Sequence, residues 1–504
     1  MRLILLLHRY LALVVGLLMV LWCLSGFVML YQGFPALSRS QYLAGLAPLD
    51  FSQCCNHSLL EADDTTALPP FRIEMLLGDP VLQLSGGDVV SMVNLRTGQP
   101  VPMLSEEQVL EVARQYGTGN DITGTPRTKG VIDIDQWTIQ TAARNRPAHH
   151  IAFDDAADTE IYINGSTGAV FQVTNRRTRF LSWLGAVPHW LYPTLLRQNG
   201  PLWSQVVIWT SVAGSFLAAT GLYVGIARLR RSKRTGKLNS PFRGWWYWHH
   251  MTGLVFGVVA LTWVFSGLLT MNPWGVLSGT GTGNDYRRSV AGTATWGELR
   301  VLLDALPSRG PTASKQLQSA PFDQRLYVVA RHEEQPTLRL DLEGRLALLT
   351  HAEVETALAQ LPVPIQKFTL LEQEDAYYYG HKQAVALPVY RILLDDAEQT
   401  RLYIDQESGT VRTLDASGRL ARWIRTGLHD FDFPVVRLRP VWDITVLFLL
   451  AGVTGLCLIG TWLAYKRARM DLRRLRGRWH RYIKPQAPLA GNLERSRTDT
   501  ASDS

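Results

Sequence analysis

Cysteine is scarce in this chain: four residues in 504, too few for a scaffold built on disulfides. Charged residues make up only 19 %, yet no stretch is poor enough in apolar residues for the chain to be mostly disordered. No Ser-His-Asp, paired-carboxylate or His-Glu-x-x-His arrangement stands out, which leaves hydrolysis without support. The tail from Lys466 lacks a Gly-rich dinucleotide fingerprint as well. What the chain does have is apolar length. Hydrophobic residues are 46 % of the total and include four long runs: Leu3–Leu30, Val206–Ala227, Leu254–Met271 and Val441–Tyr465. Each is about the length of a helix crossing a hydrocarbon layer roughly 30 Å thick. That excludes a simple soluble enzyme.

The net charge of +8 is unevenly placed. Arg228–Arg243 holds seven Lys/Arg and no acid, the tail from Lys466 holds eleven basic and four acidic residues, and Arg2 and Arg9 open the chain. These pieces sum to +16, which leaves about −8 for the remainder. Basic residues collected beside apolar runs mark the cytoplasmic side of a membrane protein rather than a nucleic-acid surface. Trp203, Trp245, Trp246, Tyr247, Trp248, Trp442 and Tyr465 cluster at the run ends, at headgroup level. The first run is long and lacks a small-residue cleavage site, so it is expected to stay as a span rather than act as a signal peptide.

The expected layout places spans at residues 1–31, 203–227, 249–271 and 441–465. Extracytoplasmic domains occupy 32–202 and 272–440, with a basic cytoplasmic loop at 228–248 and a basic cytoplasmic tail at 466–504. The expected home is a bacterial inner membrane, with both termini cytoplasmic.

An internal alignment ties the halves together. His8-Arg-Tyr-Leu-Ala-Leu-Val-Val-Gly16 matches His249-His-Met-Thr-Gly-Leu-Val-Phe-Gly257 at an offset of 241. At that offset Trp22 meets Trp263, Ser25-Gly26 meets Ser266-Gly267, and Ile161-Tyr-Ile-Asn-Gly-Ser-Thr-Gly168 meets Leu402-Tyr-Ile-Asp-Gln-Glu-Ser-Gly409. Val187-Pro-His189-Trp corresponds to Gly427-Leu-His429-Asp with a shift of one, and Thr220-Gly221 resembles Thr454-Gly455. This reads as a tandem duplication of span, outer domain and span, the two copies in parallel topology. The outer domains read as α+β. A capped helix is expected over Ser105–Tyr116 and strands over His150–Phe153, Glu160–Asn164, Val389–Leu393 and Arg401–Asp405, with Gly168 and Gly409 closing turns.

The helix-plus-hairpin unit with its Tyr-Ile-Asn/Asp-x-x-Thr/Ser-Gly turn, flanked by spans that open with His and contain Ser-Gly, resembles the PepSY-associated membrane proteins. The resemblance covers most of residues 1–465 and is weakest in Gln32–Leu104 and Asn272–Thr350. It implies a four-span membrane protein with two PepSY-like domains. It also implies kinship with haem-bearing reductases of ferric siderophores in that family.

Twelve histidines are present, and four of them take matched places. His8 and His249 open the first and third spans; His189 and His429 precede the outer ends of the second and fourth. An ionisable side chain at such depth is costly unless it is paired or liganded. Two duplicated pairs form a pattern for two bis-His haem b sites, one per face, with Gly16, Gly26, Gly257 and Gly267 leaving room for a flat macrocycle. Interfacial anchoring is the bland alternative. His250, beside His249, is a second candidate ligand. Haems so ligated pass electrons and do not bind oxygen. The donor is then a quinol or a separate protein, and the acceptor lies outside near His189 and His429. That the acceptor is a ferric chelate or siderophore, which would make the chain a ferric-chelate reductase in iron uptake, is what the resemblance alone implies. The rival reading is a non-enzymatic membrane protein binding or regulating a periplasmic partner, such as a peptidase or uptake component.

Weaker features remain. Cys54-Cys55, near His57, suggests a disulfide or a soft-metal site, and more simply an incidental loop. Cys23 and Cys457 suggest packing within spans. Tyr377-Tyr-Tyr-Gly-His381, with Glu372, Glu374 and Asp375, suggests a chelate contact or, preferably, an exposed strand edge. His149-His150 is expected to be structural. Arg437 and Arg439 suggest haem-propionate partners or headgroup anchors.

Overall fold

A computed structural model describes residues 2–483 except 57–61, 87–88, 232–235, 312, 334–335 and 381–383. His57, His381 and the chain after residue 483 lie outside the described residues. Four long helices, Arg2–Met29, Gly200–Arg228, Trp245–Thr270 and Val441–Ile483, each contain a window long and apolar enough to cross a membrane. We call them the first to fourth spans. Their packed seam holds Ala12, Val15, Met19, Val20 and Cys23 of the first span, Leu217 of the second and Ala260 of the third. The fourth contributes Leu450, Val453, Cys457 and Ala464. Cys23 and Cys457 are free thiols inside this seam, as expected of small packing residues. Val14, Leu17, Trp209, Val255, Ile444 and Phe448 face outward, the arrangement of a bundle whose surroundings are apolar too.

Helix ends differ from the expected ones for local reasons. The Asn199 side chain accepts the Leu202 N–H and Pro201 follows in the first turn, so the second span starts three residues ahead of its expected boundary at 203. Trp245–Trp248, expected in the basic loop, form the first turn of the third span. The fourth span runs on through its arginine-rich segment for 43 residues, about 65 Å of helix.

Two four-stranded antiparallel sheets are built alike. Strands β4 (Pro126–Ile132), β5 (Ala148–Phe153), β6 (Glu160–Asn164) and β7 (Val170–Thr174) lie in sequence order. So do β13 (Ile365–Leu371), β14 (Val389–Leu394), β15 (Arg401–Asp405) and β16 (Val411–Leu414). Gly168 and Gly409 each turn with φ +68°, which glycine adopts without strain, and each donates to the carbonyl four residues back at 2.8 Å. Tyr162 donates to Asp135 at 2.6 Å, and Tyr403 to Asp375 at 3.0 Å. The helix Glu106–Gly119 packs on the first sheet, its start held by a capping box between Ser105 and Gln108. His150 stacks on Tyr162 with ring centres 4.5 Å apart and lies 3.0 Å from Glu160, in keeping with a structural role.

The third sheet differs from the expectation of two separate domains. Strands β1 (Phe71–Leu76), β2 (Asp79–Gly86) and β3 (Val89–Asn94) come from residues before the second span. β10 (Gln316–Ser319), β11 (Val328–Arg331) and β12 (Leu338–Leu340) come from residues after the third. They join as one six-stranded sheet ordered β12-β11-β10-β1-β2-β3, with Ile73 opposite Leu317 at the seam. Both residues are fully buried, in a core shared with Leu299, Leu302 and Leu306 of the helix Trp296–Arg309. A two-stranded hairpin, β8 (Arg230–Arg231) with β9 (Leu238–Asn239), lies in the basic loop.

Candidate functional site

The four matched histidines meet in two pairs at opposite ends of the bundle. His8 and His249 have ring centres 6.4 Å apart at the end that carries the first residues of the chain. His189 and His429 have ring centres 6.3 Å apart at the end beside the sheets. Neither member of the second pair belongs to a span. His189 ends a short helix, Ala186–His189, and His429 ends a π-helical segment, Arg422–His429. Both fold back against the long helices.

Each ring is seated in the same manner. His189 Nδ1 lies 3.1 Å from the Trp22 carbonyl oxygen and 3.2 Å from Ser25 Oγ. His429 Nδ1 lies 3.2 Å from the Trp263 carbonyl oxygen and 3.2 Å from Ser266 Oγ. His8 Nδ1 lies 3.1 Å from the Leu217 carbonyl oxygen. A carbonyl oxygen only accepts, so Nδ1 of these three rings carries a proton, and in a neutral ring the lone pair is then on Nε2. A hydrogen bond of this kind orients an imidazole that binds metal through its other nitrogen. His249 faces the Leu456 carbonyl in the matched place, while its buried Nδ1 falls short of a complete hydrogen bond.

Glycines provide the seats. A methyl group on Gly221 would lie 2.6 Å from His8 Cε1, and one on Gly460 would lie 2.8 Å from His249 Cε1. On Gly267 it would lie 3.1 Å from His429 Cε1, and on Gly26 3.9 Å from His189 Cε1. Gly26 and Gly267, expected to make room for a macrocycle, thus lie under imidazoles, whereas Gly16, beside Thr461, and Gly257, beside Leu222, line a cavity between the spans. The expected match of Gly221 with Gly455 is off by five residues. Gly460 takes the matched place, and nothing lies within 4 Å of a methyl group at Gly455.

Between the spans at the His8–His249 end is a cavity of about 400 Å³, within the size range of small-molecule sites. Its walls include Ala12, Met19, Leu217, Gly225, Gly253 and Ala260, and both imidazoles face it. His250 lines it too, but its Nδ1 is 2.9 Å from Ser240 Oγ and its Nε2 is 2.8 Å from the Gly225 carbonyl oxygen. Both of its nitrogens are therefore engaged. A second cavity, of about 40 Å³, lies among the sheets beside Tyr42, Glu74 and Tyr116 and has room for little more than water.

A family model described as the PepSY-associated TM region matches residues 5–321, well over half of the chain. The chain belongs to the PepSY-associated TM family. A comparison with curated proteins finds no match. The matched part of this PepSY-associated protein includes the first three spans, His8, His189, His249 and His250; His429 and the fourth span lie beyond it.

Cys54 and Cys55 are joined to each other by a disulfide, packed against the core of the six-stranded sheet. Tyr378 is buried on Tyr403, and Tyr379 donates to Asp432 at 3.0 Å. This segment is neither an open contact surface nor an exposed strand edge, because Asp375 accepts the N–H groups of Tyr377 and Tyr378 and folds the run inward. Arg437 pairs with Glu374 at 3.1 Å and Arg439 with Asp443 at 2.7 Å. Among the described residues, no group of three or more His, Cys, Asp or Glu side chains is placed to hold a metal ion.

Proposed function

We propose that this membrane protein holds two haem b groups, His8 with His249 and His189 with His429 as axial ligands, and passes electrons across the bilayer. The spacing of the imidazoles carries the reading. Two rings on opposite sides of one metal, each nitrogen about 2 Å from it, hold their centres roughly 6 Å apart. Both pairs stand at that separation. Two imidazoles alone do not make a metal site, which fits a group that brings its own four nitrogens. Three Nδ1 atoms committed to carbonyl oxygens, and a large cavity at one pair, support the same reading. His250, with both nitrogens engaged, is assigned a structural role.

Iron held by two imidazoles shuttles one electron and has no open coordination position. The chain's own residues orient the rings and separate the two sites by about 20 Å of helix, from His8 to Trp22. The matched seats in the two halves support a tandem duplication. The basic residues at the His8–His249 end support a cytoplasmic side for that end, and for both termini, in a bacterial inner membrane. The sheets then face the periplasm. Overall, a quinol or a donor protein gives up one electron per ferric ion, and a ferric chelate or siderophore near His189 and His429 takes it up, releasing weakly held Fe(II).

The test is transport of electrons in sealed vesicles. With the purified chain inserted and a reductant inside, a ferric chelate outside should yield Fe(II) trapped by a chromogenic ferrous chelator. His8→Ala should abolish this without changing vesicle orientation. Equal Fe(II) formation with His8→Ala or empty vesicles would overturn the reading and leave a binding module.

A further inference from the structure

We propose that Arg9, Arg228 and Arg467 form a dicarboxylate-recognition site at the mouth of the 400 Å³ cavity, so that its ligand is a flat apolar molecule with a dianionic edge. The identity of that ligand as a porphyrin diacid rests on the function proposed above. The cavity is long and one-sided. On the first span its lining runs from Leu5 to Met19, about 20 Å of helix. Its depth is walled by apolar side chains, glycines and the two imidazoles, and its charged lining residues are these three arginines, all at the end of the bundle where the chain begins.

Among the described residues, the arginines carry more charge than the neighbouring carboxylates neutralise. Arg9 and Arg467 share a single carboxylate, Asp471, at 3.3 and 3.5 Å. Tyr10 also donates to Asp471, at 3.2 Å. The Nε atom of Arg9 is buried without a hydrogen bond, and that of Arg467 has only the 3.5 Å ion pair to Asp471, too distorted to count as one. Three guanidinium groups against one carboxylate leave two positive charges in excess, which two ligand carboxylates would neutralise. Guanidinium is the side chain suited to this, because its planar fork pairs a carboxylate through two N–H groups. Leaving buried guanidinium nitrogens unmatched is costly, so the donors point to a ligand. Basic residues that only mark the cytoplasmic side need not line a cavity; Arg230 and Arg231 on the adjoining hairpin are exposed to solvent.

The ligand then enters edge-last, with its carboxylates toward the cytoplasm and its ring between His8 and His249. Chain made in haem-deficient cells and held in detergent is titrated with haem and with haem dimethyl ester, following the Soret band. The comparison is run in the native chain and in a His189→Ala, His429→Ala background that leaves one pair. The diacid should bind this pair about tenfold more tightly than the diester. In an Arg9→Gln, Arg467→Gln variant the preference should fall to within about twofold, through weaker diacid binding. Equal binding of diacid and diester by the unmodified arginines would overturn the carboxylate site while leaving the haem reading intact. Failure of both ligands to bind the native chain would overturn the haem reading itself.

Discussion

The glycine seats give the sharpest perturbation. Adding one methyl group in Gly221→Ala places a carbon 2.6 Å from His8 Cε1, and Gly460→Ala places one 2.8 Å from His249 Cε1. Carbon atoms rest about 3.5 Å apart or more, so each ring must retreat by roughly 1 Å or the helices must part. Metal–nitrogen distances in a formed site hold to about 0.2 Å, so a retreat of that size breaks the bond. Parting the helices instead costs about 1–3 kcal/mol of overpacking. Gly26→Ala is the built-in control, because its methyl would meet His189 at 3.9 Å, an ordinary contact. The assay is haem per chain by pyridine haemochrome on purified protein, with size-exclusion elution as the check on folding. Gly221→Ala and Gly460→Ala should each lose one of two haems, and Gly26→Ala should keep both. Full occupancy in Gly221→Ala, or loss confined to Gly26→Ala, would refute the seating of the imidazoles.

Other expectations follow from the same contacts. His249→Ala should lose one haem, whereas His250→Gln should keep both and lower thermal stability by about 1–3 kcal/mol, since hydrogen bonds to Ser240 and Gly225 are disturbed. Retention of both haems by His249→Ala would reassign the ligand. Ser25→Ala removes one of two acceptors at His189 Nδ1 and should weaken retention of the haem at that end about tenfold, measured by transfer to apomyoglobin, with the other haem unaffected. Burial alone would raise the Glu160 carboxyl, but hydrogen bonds from His150 and Lys129 and the Arg179 charge outweigh it and hold it at about 2. Its stabilisation is therefore complete above the unfolded carboxylate range and lost as pH falls from about 4.5 to about 2. Glu160→Gln should flatten that part of the pH–stability curve; an unchanged acid limb would show that the cluster contributes nothing.

Much of the fold was legible because its signals are local. Apolar runs of membrane length, the Ser105–Gln108 capping box and the positive-φ glycines at 168 and 409 are each read within a few residues. The offset of 241 matched His8 with His249 because residues recur without gaps there, and a shift of one matched His189 with His429. The six-stranded sheet was not legible, since Ile73 pairs with Leu317 across two spans and neither stretch resembles the other. Gly221 and Gly460 were missed as seats for a related reason. A glycine under an imidazole of another helix leaves no mark in its own neighbourhood, and Thr454-Gly455 offered a better local match than the true one. The fold-back of His189 and His429 depends on a short helix and a π-helical segment, which apolar periodicity does not reveal.

Haem content of the purified native chain, read with its dithionite-reduced-minus-oxidised spectrum, is the most direct measurement. Two haems per chain with low-spin bis-imidazole bands, of which His8→Ala and His429→Ala each remove a different one, is the predicted result. A colourless chain from haem-replete cells, or a haem count unchanged in both variants, would contradict it.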